Sequence, residues 1–520
     1  MKKSILKILS VFLVLTIVFC SVTTSVSAEE KTAAEAVRAL EMDIPIVEIP
    51  GFGEEIYTGL STETELDDTS IWNISADEIM NLVKKHLAGL ISGLVFGNFE
   101  KLDVIFTDVL TVIFGDASCD ENGVPNPDTG IKARNYVAPK NEYGYRNSYS
   151  FHYDWRLDMH TIASQLHEYI QEVMEVTGSD KVGLACFSMG GSVTMTYLYE
   201  YYYLASPEDR EHINSVVFIS GAMNGVGCCE DPFSGNIVLD STSLMRMLQE
   251  MLGSNTSMLW LYNMLDIMYS LRMLEPVVNF SNNYIVGNLG SMVDNAIPAT
   301  IGTIPGFYAL MSYQRYYDAE NFIFDSEEDK VKHSTLIEKN RYYHDNVQLN
   351  SDLIINSLIE DCKNVAVISE YGYSSLPVTS DNGRMSDGTI ETYATSFGAT
   401  CSTVDTTLGD NYVQAVSCSC NGNHISPDNQ IDASTCKYPD ITWFAKNVKH
   451  ASSDRYFADM VDLITYSDSQ VTVWTYPDLP QFMINQLDLR LIPMSAANTG
   501  KVIPFDETTV IAKFFRNLFG

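Results

Sequence analysis

Two periods of apolar residues alternate along the middle of the chain. Short runs such as "KVGLACF" (Lys181–Phe187) and "NSVVFIS" (Asn214–Ser220) are apolar almost throughout, as strands covered on both faces are. Between them, "HTIASQLHEYIQEVMEV" (His160–Val176) and "GGSVTMTYLYEYYYL" (Gly190–Leu204) repeat apolar residues at helical spacing. "NSYSFHYDW" (Asn147–Trp155) reads as a strand ahead of them. Strand and helix in regular alternation predict βαβ units around a mostly parallel sheet.

Upstream, "DIPIVEIP" (Asp43–Pro50) predicts a short strand ending at Gly51. Two apolar helical segments follow, "SADEIMNLVKKHLAGLISGLVF" and "NFEKLDVIFTDVLTVIF". "CDENGVPNPDTGI" (Cys119–Ile131) is a turn-rich loop whose carboxylates match no known calcium-loop spacing. The alternation breaks at about Gly221. From there to about Asn350 the pattern is helical and rich in Met and Leu, as in "MRMLQEML" and "MLWLYNMLDIMYSLRML".

The sheet pattern then resumes. Helix "LNSDLIINSLIEDC", strand "NVAVISEYG", strand "DITWFAKNVKH" and helix "SDRYFADMVDLITY" complete it, and "TTVIAKFFRNLFG" adds a terminal amphipathic helix. The chain thus divides into a leader (1–28), the first part of an α/β core (29–221) and a helical cap (222–350). The second part of the core, with a cysteine-rich loop, spans 351–467, and a C-terminal extension spans 468–520.

The leader reading rests on Lys2, Lys3 and Lys7, an apolar run from Ile8 to Cys20, and the small residues Val26-Ser27-Ala28 before a cleavage point. The run is shorter than a membrane-spanning helix of roughly 18 residues. Export of a chain beginning at Glu29 is the expectation. The net charge of −35 argues against nucleic acid and anionic headgroups as partners, so contact with a lipid surface would have to come from the apolar cap. Of the ten cysteines, Cys401, Cys418, Cys420 and Cys436 cluster in a loop-rich stretch, where an exported chain would form disulfides. No C-x-x-C pair supports a zinc site with His424, and no metal or organic cofactor is expected.

Candidate chemistry begins at Ser188. It stands where "KVGLACF" ends and a helix begins, the strand–turn–helix elbow that holds a nucleophilic serine proud of a sheet. Such a turn wants small residues two before and two after. Gly190 meets that demand; Cys186 is larger, though compact. The N–H of Met189 opens the helix and is one candidate oxyanion donor. The second should follow an earlier strand, and "PGFG" (Pro50–Gly53) offers the N–H of Phe52.

An acid and then a base should follow later strands. Asp381, Asp387, Asp405 and Asp410 are the candidate acids after "NVAVISEYG". Asp387 is preferred because Gly388 lets its turn aim the carboxylate inward. The base is His424 or His450, and His450, directly beyond "ITWFAKNV", has the position the topology demands. Ser188, Asp387 and His450 then form a nucleophile–acid–base set.

"PIVEIPGFG", "FHYDWRLD" (Phe151–Asp158), "CFSMGG" and "SDGTI" together resemble the lecithin:cholesterol acyltransferase family, which includes lysosomal phospholipase A2 and bacterial lipase-like members of the α/β-hydrolase fold. The resemblance runs from about Asp43 to His450. It implies the triad Ser188, Asp387 and His450, oxyanion amides at Phe52 and Met189, active-site support from Asp154 and Trp155, and a cap over an acyl-chain groove. The chain departs from the family pattern at His152, where proline is usual, and at Cys186, where Gly or Ala is usual. It also has no cysteine pair bounding a small lid after the first strand.

The reading is therefore an exported serine hydrolase of lipid or other acyl esters. Acyl transfer to an alcohol is the same chemistry with another acceptor. An amidase, or an inactive fold used as a binding module, are the rivals, and no feature specifies an oligomeric state.

Overall fold

In this computed structural model the described residues are 32–499 except 39, 42, 60–68, 73–84, 87–88, 90–98, 139–147, 237, 244, 246–266, 270, 273–274, 277, 280–281, 283–296, 298–299, 376–382, 405, 418–421, 451–455 and 487–489. The leader, most of the first apolar helical segment, most of the Met-rich stretch 245–274 of the cap, Asp381, Asp405, Cys418, Cys420 and the terminal helix lie outside them.

Eight strands form the central sheet: β1 (Ile46–Ile49), β2 (Ser148–Ser150), β3 (Val182–Phe187), β4 (Ile213–Ile219), β5 (Asn364–Tyr371), β6 (Thr442–Lys446), β7 (Phe482–Asn485) and β8 (Leu491–Pro493). Their order is β8-β7-β6-β5-β4-β3-β1-β2. Every neighbouring pair is parallel except β7 with β8. The fold is the expected α/β-hydrolase architecture. β3, β4 and β5 are buried along nearly their whole length, which is why they read as apolar runs rather than alternating ones.

Helix α1 (Met159–Thr177) is set by Asp158, whose carboxylate accepts from Thr161 N–H at 3.0 Å, and ends at left-handed Gly178. It packs on α2 (Met189–Leu198), which lies against β1 and β3. Helix α3 (Ser351–Glu360) leads into β5, and α4 (Ala458–Tyr466) covers β4 and β5.

Three features differ from the sequence reading. The strand expected over Asn147–Trp155 stops at Ser150; at His152 the backbone N–H and carbonyl are taken by the Asn135 side chain, at 2.6 and 3.0 Å, and Asp154 then turns the chain by accepting from the Arg156 backbone N–H. β7 and β8 extend the sheet beyond β6, into residues read as a C-terminal extension. Cys401 and Cys436, expected in disulfides, are buried or half-buried thiols packed into one small core.

Among described cap residues, helices Tyr313–Ile323 and Ser334–Tyr342 are joined by Arg341 and Glu320. The cap is closed on itself through Gln348, near its end, whose amide donates to the carbonyls of Met223, near its start, and Met311 at 2.8 and 2.9 Å. Among the described residues no helix is long and apolar enough to cross a membrane.

Candidate active site

The sheet order reverses around β1. The chain leaves β1 for β2 on one side and returns to β3 on the other, so the crevice between the ends of β1 and β3 is a topological switch point, where open α/β sheets hold ligands. Ser188 and Gly51 stand there together. Ser188 has φ 52° and ψ −124°, a conformation non-glycine residues keep only when the surroundings hold them in it. Here its N–H donates to Ile219 O at 3.3 Å, and its carbonyl accepts from Gly191 and Ala222, each at 2.9 Å.

The small-residue demand falls on Gly51 and Gly190. A Cβ on Gly190 would lie 2.3 Å from Ile49 O, and one on Gly51 would lie 2.7 Å from Ser188 Cβ. Cys186 does not meet this squeeze. Its buried thiol donates to Val217 O on β4 at 3.5 Å, and burial pushes its pKa up to about 12, so it is an inert core residue.

The N–H of Met189 begins α2, and that of Phe52 follows Gly51 in the loop after β1. Two side chains fasten that loop from either end. Tyr153 OH donates to Pro50 O at 2.8 Å, and Trp155 Nε1 to Glu54 O at 2.9 Å. Asp154 makes no such contact; it holds fully buried Arg156 through paired bonds of 2.9 and 2.7 Å, which fixes the turn carrying Tyr153 and Trp155. His152 Nδ1 is in hydrogen-bonding contact with Glu54, a further tether that the sequence reading did not foresee. Over Phe52, the rings of Trp155, Trp72 and Phe307 lie with centroids 4.5, 5.1 and 5.5 Å away. Phe307 comes from the cap, so an apolar roof spans core and cap.

Asp387 and His450 are brought together. His450 Nδ1 lies 2.8 Å from Asp387 Oδ2, and its backbone N–H donates to the Asp387 carbonyl at 3.2 Å. Asp387 Oδ1 accepts from the N–H groups of Thr389 and Ile390 at 2.8 and 2.7 Å, a turn that Gly388 completes at φ 97°. Burial lowers the affinity of His450 for a proton, but the charge of Asp387 and its hydrogen bond outweigh this, and the net shift is upward. Asp410 is exposed on a turn. His424 is elsewhere: buried, 2.7 Å from Gln481 Oε1 and edge-on to Trp474.

Two buried carboxylates were missed in the sequence. Glu391 accepts from Gly227 N–H at 3.0 Å, tying the Asp387 loop to the first cap helix, Gly227–Phe233; burial pushes its pKa up to about 7. Glu370 stands at the end of β5. Its signal was an acidic residue inside the apolar run "NVAVISEYG". Among the described residues, Glu370, Asp387 and His450 form a group able to hold a metal, with ligand atoms within 4.8 Å of one another. His450 Nδ1 is already engaged by Asp387, and Ser220 Oγ donates to Glu370 at 3.0 Å.

The family model for lecithin:cholesterol acyltransferase matches residues 134–352. Over this span, which is less than half of the chain, the sequence is similar to that family. The match covers Tyr153 to Arg156, Ser188 and the cap, and stops short of Glu370, Asp387 and His450. That similarity points to an enzyme that modifies acyl lipids, by ester hydrolysis or acyl transfer. No curated protein matches the chain.

Proposed function

We propose that the protein is an exported serine hydrolase of acyl-lipid esters, working through Ser188, His450 and Asp387. The observation that carries this reading is the strained Ser188 elbow at the switch point, with an Asp387–His450 pair at the same edge of the sheet. In this reading His450 takes the proton from Ser188 Oγ as the oxygen attacks the ester carbonyl. The tetrahedral oxyanion accepts from the N–H groups of Phe52 and Met189. Collapse expels the alcohol, which leaves with the proton held on His450, and a water repeats the sequence to free the acid. Asp387 keeps the imidazole oriented and stabilises its cation. The aromatic roof over Phe52 supplies an apolar wall for an acyl chain and favours a lipid over a peptide. The cap is the surface that would meet a lipid interface.

The test is fluorophosphonate labelling of the chain from Glu29 onward, with the adduct mapped by mass spectrometry, beside an ester-hydrolysis assay. Label on Ser188, and loss of both label and hydrolysis in Ser188→Ala, is the expected result. Undiminished hydrolysis in Ser188→Ala would refute the reading. Adding an alcohol acceptor and measuring ester product separates transfer from hydrolysis. Export is checked by sequencing the N-terminus of secreted material, expected at Glu29.

A further inference from the structure

The last residue but one of strand β5 is a carboxylate that the triad does not use. Glu370 is fully buried, in a strand buried throughout, and a charge there is costly unless something draws on it. The register shows what it faces. Glu370 pairs with Ala445 on β6, the strand that leads to His450. On its other side is Ser220, the first residue after β4. Ser220 N–H donates to Ile368 O at 2.8 Å, and its Oγ donates to Glu370 Oε2 at 3.0 Å. Ser220 has a left-handed φ of 44°, so a strained residue supplies the bond that orients this carboxylate. One oxygen of Glu370, one of Asp387 and one ring nitrogen of His450 all lie within 4.8 Å of one another.

We propose that Glu370 is a second acid for His450, a positioning residue that shares the imidazolium charge with Asp387 and takes over part of its role when Asp387 is removed. The proposal rests on the hydrolase reading above. No bond is made or broken at Glu370. The proton taken from Ser188 Oγ stays on His450 until the leaving alcohol collects it, and Glu370 stabilises the positive ring meanwhile. Its carboxylate reaches that region straight from the sheet, whereas Asp387 arrives through a long excursion between β5 and β6. The Ser220 bond orients Glu370 before the charge develops, which is what makes such a group effective.

The experiment is a double-substitution cycle in the full chain. Asp387→Asn, Glu370→Gln and the two combined are assayed for kcat, KM and fluorophosphonate labelling rate, with thermal melts alongside. A base with a single acid partner loses about 10⁴-fold in kcat when that acid becomes its amide. Here Asp387→Asn is expected to lose only about 10²-fold, and adding Glu370→Gln a further factor of about 10². Glu370→Gln alone is expected to lose about fivefold, in kcat rather than KM. A purely structural Glu370 would cost the same factor in both backgrounds, so equal losses overturn the proposal. An Asp387→Asn enzyme already as slow as the double variant overturns it too. Should the double variant fail to fold, Glu370→Asp in the Asp387→Asn background replaces it, since it withdraws the carboxylate by one methylene. A further loss of about tenfold is then expected, and none overturns the idea. Failure of the hydrolase reading itself looks different: Ser188→Ala stays active.

Discussion

The elbow around Ser188 and the loop around Asp387 lie at the same edge of the sheet, yet they are held in place by different forces. The elbow is defined by backbone contact. Gly190 is pressed against Ile49 and Pro50, and Gly51 against Ser188, so closely that single methyl groups have no room. The loop is defined by charge and hydrogen bonds. Asp387, Glu391 and Glu370 are buried there, each held by specific N–H, O–H or imidazole partners. A nucleophile needs a fixed position before anything else. An acid–base pair needs a fixed proton affinity as well, and only charged neighbours supply that. The two halves should therefore fail under different insults, one steric and one electrostatic.

The sharpest separation is between the two histidines. His450→Ala is expected to lower kcat by about 10⁴-fold or more with a near-normal melting curve. His424→Ala should keep its turnover per folded molecule and lose about 1–3 kcal/mol of stability, through the orphaned Gln481. Equal kinetic losses in both would erase the distinction.

Next comes Gly190→Ala. It places a methyl 2.3 Å from Ile49 O, and we expect about 3 kcal/mol of destabilisation with loss of labelling, since the backbone has to move. An Ala variant with wild-type melting and labelling would show that the elbow is softer than its contacts indicate.

The loop should respond to pH instead. Glu391 is raised from 4.5 to about 7, so the folded state binds a proton that the unfolded state releases. Its contribution is fully present below pH 4.5 and is lost as pH rises through about 7. Glu391→Gln should match wild type in acid and exceed it above pH 8 by at most about 3 kcal/mol, read from urea melts at several pH values. A constant difference at every pH would contradict the assignment.

Cys186→Gly is expected to have the smallest effect. Activity should stay within about twofold, and stability should fall by about 1–2 kcal/mol for the lost side chain and added backbone freedom. A collapse of activity would mean that the thiol supports the elbow after all.

This contrast also explains what could be read from the sequence. The βαβ alternation and the elbow are local, written in consecutive residues, and Gly190 marks its own constraint. The acid–base side is assembled from segments far apart in the chain; in the sequence only its place directly after a strand favoured His450 over His424, and the contacts each makes now distinguish them. Glu370 was overlooked because an acid inside an apolar strand carries no periodic signal. β7 and β8 span four and three residues, too short for a pattern. Asp387 was legible because the glycine after it marks the turn. The role of Cys186 was misjudged, since the crowding lies at Gly51 and Gly190.

Five tryptophans occur in the chain, and two of them, Trp72 and Trp155, have their rings within about 5 Å of Phe52. Indole emission shifts with the polarity and quenching groups around the ring. An acyl group settling beneath the roof would change both for Trp72 and Trp155 together. Each turnover would then carry its own optical signal, and stopped-flow fluorescence could time acylation and deacylation without any dye.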